Sequence, residues 1–90
     1  MYARSVTIMG RREAVEEGIT FIRDEVQPAV TAMDGCLGLS LVVDRASGRC
    51  MATSAWETKD SMIVADDELI PLRTRAALIL GGEPEVDCWE

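Results

Sequence analysis

The chain has 90 residues, of which 9 are basic and 16 acidic, and a formal net charge of −7 at pH 7. This excess of negative charge repels phosphate groups, so it argues against nucleic-acid binding and against docking to anionic membranes. Hydrophobic residues make up 48% of the sequence and aromatic residues 4%, which excludes a disordered chain and predicts a single domain over residues 1–90. Because histidine is absent, the commonest metal ligand and general base are missing, and we expect no metal and no cofactor.

The three cysteines, Cys36, Cys50 and Cys88, are odd in number and form no Cys-x-x-Cys spacing. Reduced structural thiols are therefore expected rather than a disulfide framework. The N-terminus lacks the continuous apolar run of a signal peptide, and no stretch approaches the roughly 18 apolar residues that a membrane span requires. We accordingly expect a cytoplasmic location and no membrane partner.

The first half of the chain predicts a strand followed by a helix. Alternating β-forming residues predict a strand from Tyr2 to Met9. Apolar residues at spacings of three or four predict a helix from about Arg11 to Met33. Pro28 predicts a kink in this helix, since proline cannot donate a backbone hydrogen bond. Gly35 is expected to adopt the left-handed conformation that ends helices.

A β-hairpin follows, with strands from Cys36 to Asp44 and from Arg49 to Glu57 and a loop that ends in Gly48. Pairing Asp44 with Arg49 sets the register, and a slip of one residue would move every side chain to the other face. The further pairs predicted by this register are Val43 with Cys50, Leu41 with Ala52, Leu39 with Ser54, and Leu37 with Trp56.

The register divides the hairpin side chains between two faces of the sheet. The face predicted to lie under the helices carries Leu37, Leu39, Leu41, Val43, Cys50, Ala52, Ser54 and Trp56. The opposite face carries Gly38, Ser40, Val42, Met51, Thr53 and Ala55, and we expect no charge on it from the hairpin. Exposure of such an apolar patch to water is unfavourable, so we expect a homodimer in which this second face packs against its copy.

A second helical region is predicted from Lys59 to about Leu80, interrupted at Pro71, and a last strand from Glu85 to Glu90. The element order is then βαββαβ. With right-handed crossovers, this order predicts an α+β, ferredoxin-like fold in which a four-stranded antiparallel sheet carries both helices on one face.

The helix-facing side of the hairpin is where we expect a ligand pocket, because small side chains on the third strand lie opposite large ones on the second and leave space beneath the helices. The pocket candidates are Arg4, Leu39, Cys50, Ala52, Ser54 and Trp56. In the alternative interpretation, Trp56 is simply a large residue of a core that has few aromatics. Cys50 is interpreted as a buried structural thiol, because no base is available to activate it, and Cys36 and Cys88 are interpreted in the same way.

Two arginines bear on this pocket. Arg4 lies on the helix-facing side of the first strand, where a charge needs a partner or an anionic ligand. The favoured interpretation is nevertheless an arginine at a frayed strand end that reaches water or a glutamate. Arg73 is expected to be solvated or paired with a nearby acid.

Three short motifs suggest a family: Gly-Cys-Leu-Gly at 35–38, Trp-Glu-Thr-Lys-Asp-Ser-Met at 56–62, and Pro-Leu-Arg at 71–73. With the βαββαβ order, they make the chain similar to the dimeric α+β barrel superfamily. The resemblance is to antibiotic biosynthesis monooxygenase (ABM)-like domains of an uncharacterised actinobacterial type, some of which carry two such domains in tandem.

The resemblance implies a dimeric α/β barrel with a pocket between sheet and helices, lined by a tryptophan that corresponds to Trp56. An asparagine that helps to activate substrate in this family corresponds to Ala52, and the histidine of its haem-degrading branch has no counterpart. The resemblance also implies a small apolar or aromatic ligand. If the chain is an enzyme, the implied reaction is cofactor-independent monooxygenation. No catalytic residue is identified. The alternative is a non-catalytic dimerisation or stress-associated module with no substrate.

Overall fold

The computed structural model describes residues 1–90, and its strands form one antiparallel sheet in the order β2-β3-β1-β4. The strands are β1 (Tyr2–Met9), β2 (Cys36–Asp44), β3 (Arg49–Trp56) and β4 (Pro84–Trp89). The sheet is covered by two helical regions, one between β1 and β2 and one between β3 and β4. The predicted ferredoxin-like α+β fold is therefore confirmed.

The first helical region is less regular than its apolar stripe predicts. It consists of a 3-10 turn (Arg12–Ala14), helix α1 (Val15–Phe21), a wider π-type turn (Ile22–Val26) and helix α2 (Gln27–Thr31). The interruption precedes Pro28, which lies in the first turn of α2. The first turn of a helix tolerates proline because its N–H groups have no partner within the helix. The π-type turn before α2 accommodates the backbone hydrogen bond that Pro28 cannot donate.

The second helical region is the single helix α3 (Lys59–Leu80). The predicted interruption at Pro71 is wrong, because the helix continues through this residue. Pro71 is exposed, so water can reach the carbonyl group that loses its hydrogen bond. At the start of α3, the Thr58 hydroxyl accepts a hydrogen bond from the Ser61 backbone N–H at 3.1 Å. At its end, Gly81 takes the left-handed conformation with φ of 80°.

Most of the predicted hairpin register is present, including the pairs Asp44–Arg49, Leu41–Ala52 and Leu39–Ser54. The predicted pair of Leu37 with Trp56 is wrong. A bulge between Cys36 and Gly38 shifts the register, so Trp56 pairs with Cys36, and Leu37 is 53% exposed instead of lying under the helices.

The core consists of two clusters of buried residues on the helix side of the sheet. The first cluster is Ile8, Val15, Phe21, Ile22, Cys50, Ala76 and Leu80. The second cluster is Val30, Trp56, Met62, Ala65 and Leu69. Val26 and Leu72 pack against both clusters and so join them. None of the helices is long and apolar enough to cross a membrane.

The opposite face of the sheet has no helix on it. Val42 is 56% exposed and Met51 36% exposed on this face. Strand β4 is exposed along its whole length, so the expectation of a buried Cys88 is wrong. The cause is that β4 is an edge strand that pairs with β1 alone.

Candidate ligand-binding cavity

A cavity of about 80 Å³ lies between the sheet and the helices, and 13 of its 16 lining residues are hydrophobic. It is placed between the two core clusters and takes lining residues from both. The lining residues are Arg4, Val6, Ile8, Ile22, Val26, Val30, Leu39, Leu41, Cys50, Ala52, Ser54, Leu69, Leu72, Arg73, Ala76 and Leu80. Five of the predicted pocket residues are among them: Arg4, Leu39, Cys50, Ala52 and Ser54.

The cavity exists because small side chains meet across the sheet–helix interface. On the sheet, Ala52 pairs with Val6 on one side and with Leu41 on the other, so a single methyl group lies between two larger side chains. On the helix side, α3 contributes a second small side chain to the lining, Ala76. Space therefore remains where a larger pair would have closed the core.

Trp56, the sixth predicted pocket residue, does not line the cavity. Its side chain is fully buried in the second core cluster, beside Val30 and Met62. The indole Nε1 donates a hydrogen bond of 2.9 Å to Ser54 Oγ. This placement corresponds to the alternative interpretation as a core residue, and its link to the cavity runs through the Ser54 hydroxyl.

Arg4 is buried, with only 7% of its surface exposed, so the expectation of a solvated arginine at a frayed strand end is wrong. Its Nη1 donates a hydrogen bond of 2.8 Å to the Met62 carbonyl and lies 3.4 Å from Asp66 Oδ1. The reason for the burial is topological, because β1 is an inner strand and α3 packs over it. The Nε atom of Arg4 is buried and has no hydrogen-bond partner.

Arg73 also lines the cavity, and its Nη2 donates a hydrogen bond to the same Asp66 Oδ1 that lies near Arg4. Asp66 and Arg73 are seven residues apart, which places them two turns apart on one face of α3. The expectation that Arg73 pairs with a nearby acid agrees with this contact. Sequence reasoning missed Asp66, although the seven-residue spacing to Arg73 was a usable signal.

Cys50 is buried at 4% exposure, and its thiol donates to the Gly48 carbonyl over 3.7 Å. Burial raises the pKa of this thiol, because the thiolate would lose its solvation. The side chain therefore stays protonated near neutral pH, where it behaves as a small apolar group and not as a nucleophile.

In chemical terms, the cavity has an apolar body and one polar end. Ser54, Arg4 and Arg73 supply the polar end, and no carboxylate lines the space. Such a lining suits binding of a hydrocarbon or aromatic group with few polar atoms. A four-stranded ferredoxin-like sheet with helices on one face is the fold that the sequence resemblance to ABM-like domains implied.

Comparison with solved structures supports this assignment of the fold. A monooxygenase from Streptomyces coelicolor, ActVA-Orf6, in complex with nanaomycin D, aligns with a TM-score of 0.81 and 17% identity over 98% of this chain and 84% of its own. Rv0793 from Mycobacterium tuberculosis aligns with a TM-score of 0.77 and 15% identity over 99% of this chain and 92% of its own. An antibiotic biosynthesis monooxygenase aligns with a TM-score of 0.72 and 17% identity over 100% of this chain and 97% of its own. The chain therefore has the ABM fold, as the sequence resemblance implied.

Relatives of higher identity occur in Mycobacterium tuberculosis. The uncharacterised protein Rv2557 is 51% identical over all 90 residues, and the uncharacterised protein Rv2558 is 49% identical over the same length. The chain spans 40% of the first relative and 38% of the second, about two fifths of the length of each. No family model matches the chain.

Proposed function

We propose that this chain binds a small apolar or aromatic molecule in the cavity between the sheet and the helices. The observation that carries the proposal is the cavity of about 80 Å³ with its mainly hydrophobic lining. Well-packed small domains have few spaces larger than a water molecule, so an apolar cavity of this size is a candidate binding site. The ligand-bound ActVA-Orf6 structure supports the same use of the fold.

Cofactor-independent monooxygenation of an electron-rich ring is the reaction we propose if the ligand is also a substrate. The support is the ABM fold shared with monooxygenases. In the cavity, Arg4, Ser54 and Arg73 are the groups that can hydrogen-bond an oxygen of such a ring. Ala52 offers no polar atom, so these three side chains would orient the ring, and no catalytic base is assigned.

The size of the cavity bears on how a ring would enter. A dry cavity of about 150 Å³ is known to admit benzene, so about 80 Å³ requires the walls to move. Ile22 and Val26, at the two ends of the π-type turn, line the cavity. Turns of this kind frequently occur at functional sites, and this one is the irregular part of the wall.

A second candidate is a non-catalytic dimerisation or stress-associated module with no substrate. The small volume of the cavity favours this alternative, and so does the pairing of Trp56 with Ser54, since it commits the Ser54 hydroxyl to a structural bond. In this case the cavity would be a packing defect, and the open face of the sheet would be the functional surface, through which two chains associate.

For either candidate we propose that residues 1–90 form one ABM-like domain and that the chain is a cytoplasmic homodimer. The open sheet face supports the dimer, because Val42 and Met51 are exposed there, and the charged residues of this face, Asp44, Arg49, Glu85 and Asp87, lie at the hairpin end and on the edge strand β4. The proposed contact residues are Gly38, Ser40, Val42, Met51, Thr53 and Ala55. Two sheets packed face to face would bury this surface and give the dimeric α/β barrel.

Binding is tested by titrating the ¹⁵N-labelled chain with hydroquinone and naphthalene-1,4-diol and following the amide signals by NMR. We expect shifts in residues that line the cavity, such as Leu41, Ala52 and Leu72, and none on the outer surface of α3. An absence of shifts up to millimolar ligand would contradict binding and favour the module without a substrate. Oxygen uptake in the presence of either diol then tests for monooxygenation.

The dimer is tested by sedimentation equilibrium of the wild-type chain and of two aspartate variants. Met51→Asp places a charge on the proposed contact face and should give a monomer. Ile63→Asp is the matched control, because Ile63 is 51% exposed on α3, away from this face, and should remain dimeric. A monomeric wild-type chain would contradict the proposal.

A further inference from the structure

We propose that the polar end of the cavity binds a carboxylate, so that the ligand is an apolar molecule with a single carboxylate group. This inference rests on the proposed binding function and narrows its ligand class. The residues that carry it are Arg4, Arg73 and Asp66.

The first argument is the charge balance. Arg4 and Arg73 line the cavity, and no acidic residue does. Asp66 contacts both guanidinium groups through the single oxygen Oδ1, so two cations share one carboxylate. Arginine does not lose its proton in proteins, and one positive charge is therefore left uncompensated beside the apolar space. One anionic group of a ligand would balance it.

The second argument is the unsatisfied nitrogen of Arg4. Buried polar groups in folded proteins nearly always have a hydrogen-bond partner, and a buried N–H without one needs an explanation. Arg4 Nε has none, although the side chain is more than nine-tenths buried and lines the cavity. Its Nη1 is already used by the Met62 carbonyl. A small rotation of the guanidinium toward the cavity would present the free N–H to a ligand oxygen.

The third argument is the geometry of the shared carboxylate. A guanidinium group can bind a carboxylate through two parallel N–H bonds, which is the strongest arrangement for this pair. Arg4 lacks it, because Asp66 Oδ1 is 3.4 Å from Nη1 and makes its hydrogen bond with Arg73 instead. Asp66 is 32% exposed and can remain with Arg73. A ligand carboxylate can therefore take the better geometry at Arg4 without leaving Asp66 unpaired.

The apolar remainder of the lining defines the rest of the ligand. Since 13 of the 16 lining residues are hydrophobic, the body of the ligand must be hydrocarbon or aromatic. A phosphate ester at this position would bring about two negative charges to a site with one unbalanced positive charge. A monocarboxylic acid fits both the charge and the lining.

The test compares acids with their uncharged amides: hexanoate with hexanamide, and benzoate with benzamide. Each compound is titrated into the ¹⁵N-labelled chain at neutral pH, and affinities are taken from the NMR shifts. We expect each acid to bind at least tenfold more tightly than its amide. In Arg4→Met this ratio should fall close to one, while the amide affinity stays unchanged. Arg75→Met is the matched control, because Arg75 stacks on Phe21, outside the lining, and should keep the full ratio.

The outcomes separate this inference from the binding function. If acid and amide bind equally to the wild-type chain, the carboxylate site is refuted while the cavity remains a binding site. If neither binds, the binding function fails and this inference with it. Should Arg4→Met not fold, Arg73→Met serves in its place and should lower the ratio at least threefold. An unchanged ratio in the folded variant would overturn the assignment of these arginines.

Discussion

Filling the cavity from the sheet side should stabilise the protein and block ligand binding. Ala52→Leu adds three carbon atoms at the floor of the cavity, where Ala52 lies between Val6 and Leu41. A water molecule occupies about 30 Å³ in the liquid, and each added carbon group is of similar size. The three added groups therefore match the cavity volume of about 80 Å³. The new side chain therefore fits without displacing the core.

The expected gain follows from the buried carbons. Three carbon atoms at about 0.8 kcal/mol each give about 2.4 kcal/mol, and loss of leucine rotamer freedom removes about 0.5–1 kcal/mol. The free energy of unfolding should thus rise by about 1.5 kcal/mol. For a domain of this length, the melting temperature would increase by about 6–12 °C.

The assay is urea denaturation followed by circular dichroism, at one fixed protein concentration because a dimer would make the midpoint concentration-dependent. Ala46→Leu is the matched control: it makes the same chemical change in the exposed hairpin loop and should leave stability within about 0.5 kcal/mol of wild type. Overpacking a filled core costs about 1–3 kcal/mol. A loss of stability in that range for Ala52→Leu, with ligand binding retained, would refute the existence of vacant space above Ala52.

Other substitutions and a pH series test separate parts of the structure. Trp56→Phe should lower the free energy of unfolding by about 2 kcal/mol in urea denaturation, because a core ring shrinks and the indole hydrogen bond is lost, yet leave ligand affinity within twofold. Gly48→Ala should cost at least about 2 kcal/mol in the same assay, since Gly48 has φ of 87° and an added Cβ would lie 2.1 Å from a backbone oxygen. Iodoacetamide should modify the exposed Cys88 readily and Cys50 only after unfolding, as mass spectrometry of the peptides would show. Because burial raises the pKa of Cys50, the folded state keeps this proton longer than the unfolded state does, so stability should fall as pH rises above the ordinary value of 9.0. Equal alkylation rates, or wild-type stability in either variant, would contradict these assignments.

The hairpin was predictable because its determinants are local. A loop ending in a glycine that can adopt positive φ, with Asp44 opposite Arg49, fixes the register for several residues along both strands. The prediction failed at Leu37, where a bulge inserts an extra residue. Bulges depend on how the strand end meets its neighbours, and the sequence near Gly38 does not specify this.

The candidate site was predictable in position but not in its polar contacts. Alternation along β3 correctly brought Ala52 and Ser54 beneath the helices. The burial of Arg4 depends on Met62 and Asp66, which are about sixty residues away in sequence. Such contacts follow from the packing of α3 over β1, so no local pattern could reveal them. The helix irregularity is different, because it directly precedes Pro28, where the sequence predicted a kink.

The most direct test of the central claim, that vacant apolar space lies between the sheet and α3, is a crystal structure under xenon pressure. Xenon enters dry apolar cavities and is recognised by its strong scattering. The account predicts a xenon site in contact with Val6, Leu41 and Leu72, and none in crystals of Ala52→Leu. Closely packed side chains in place of the cavity, or the same xenon site in both proteins, would contradict it.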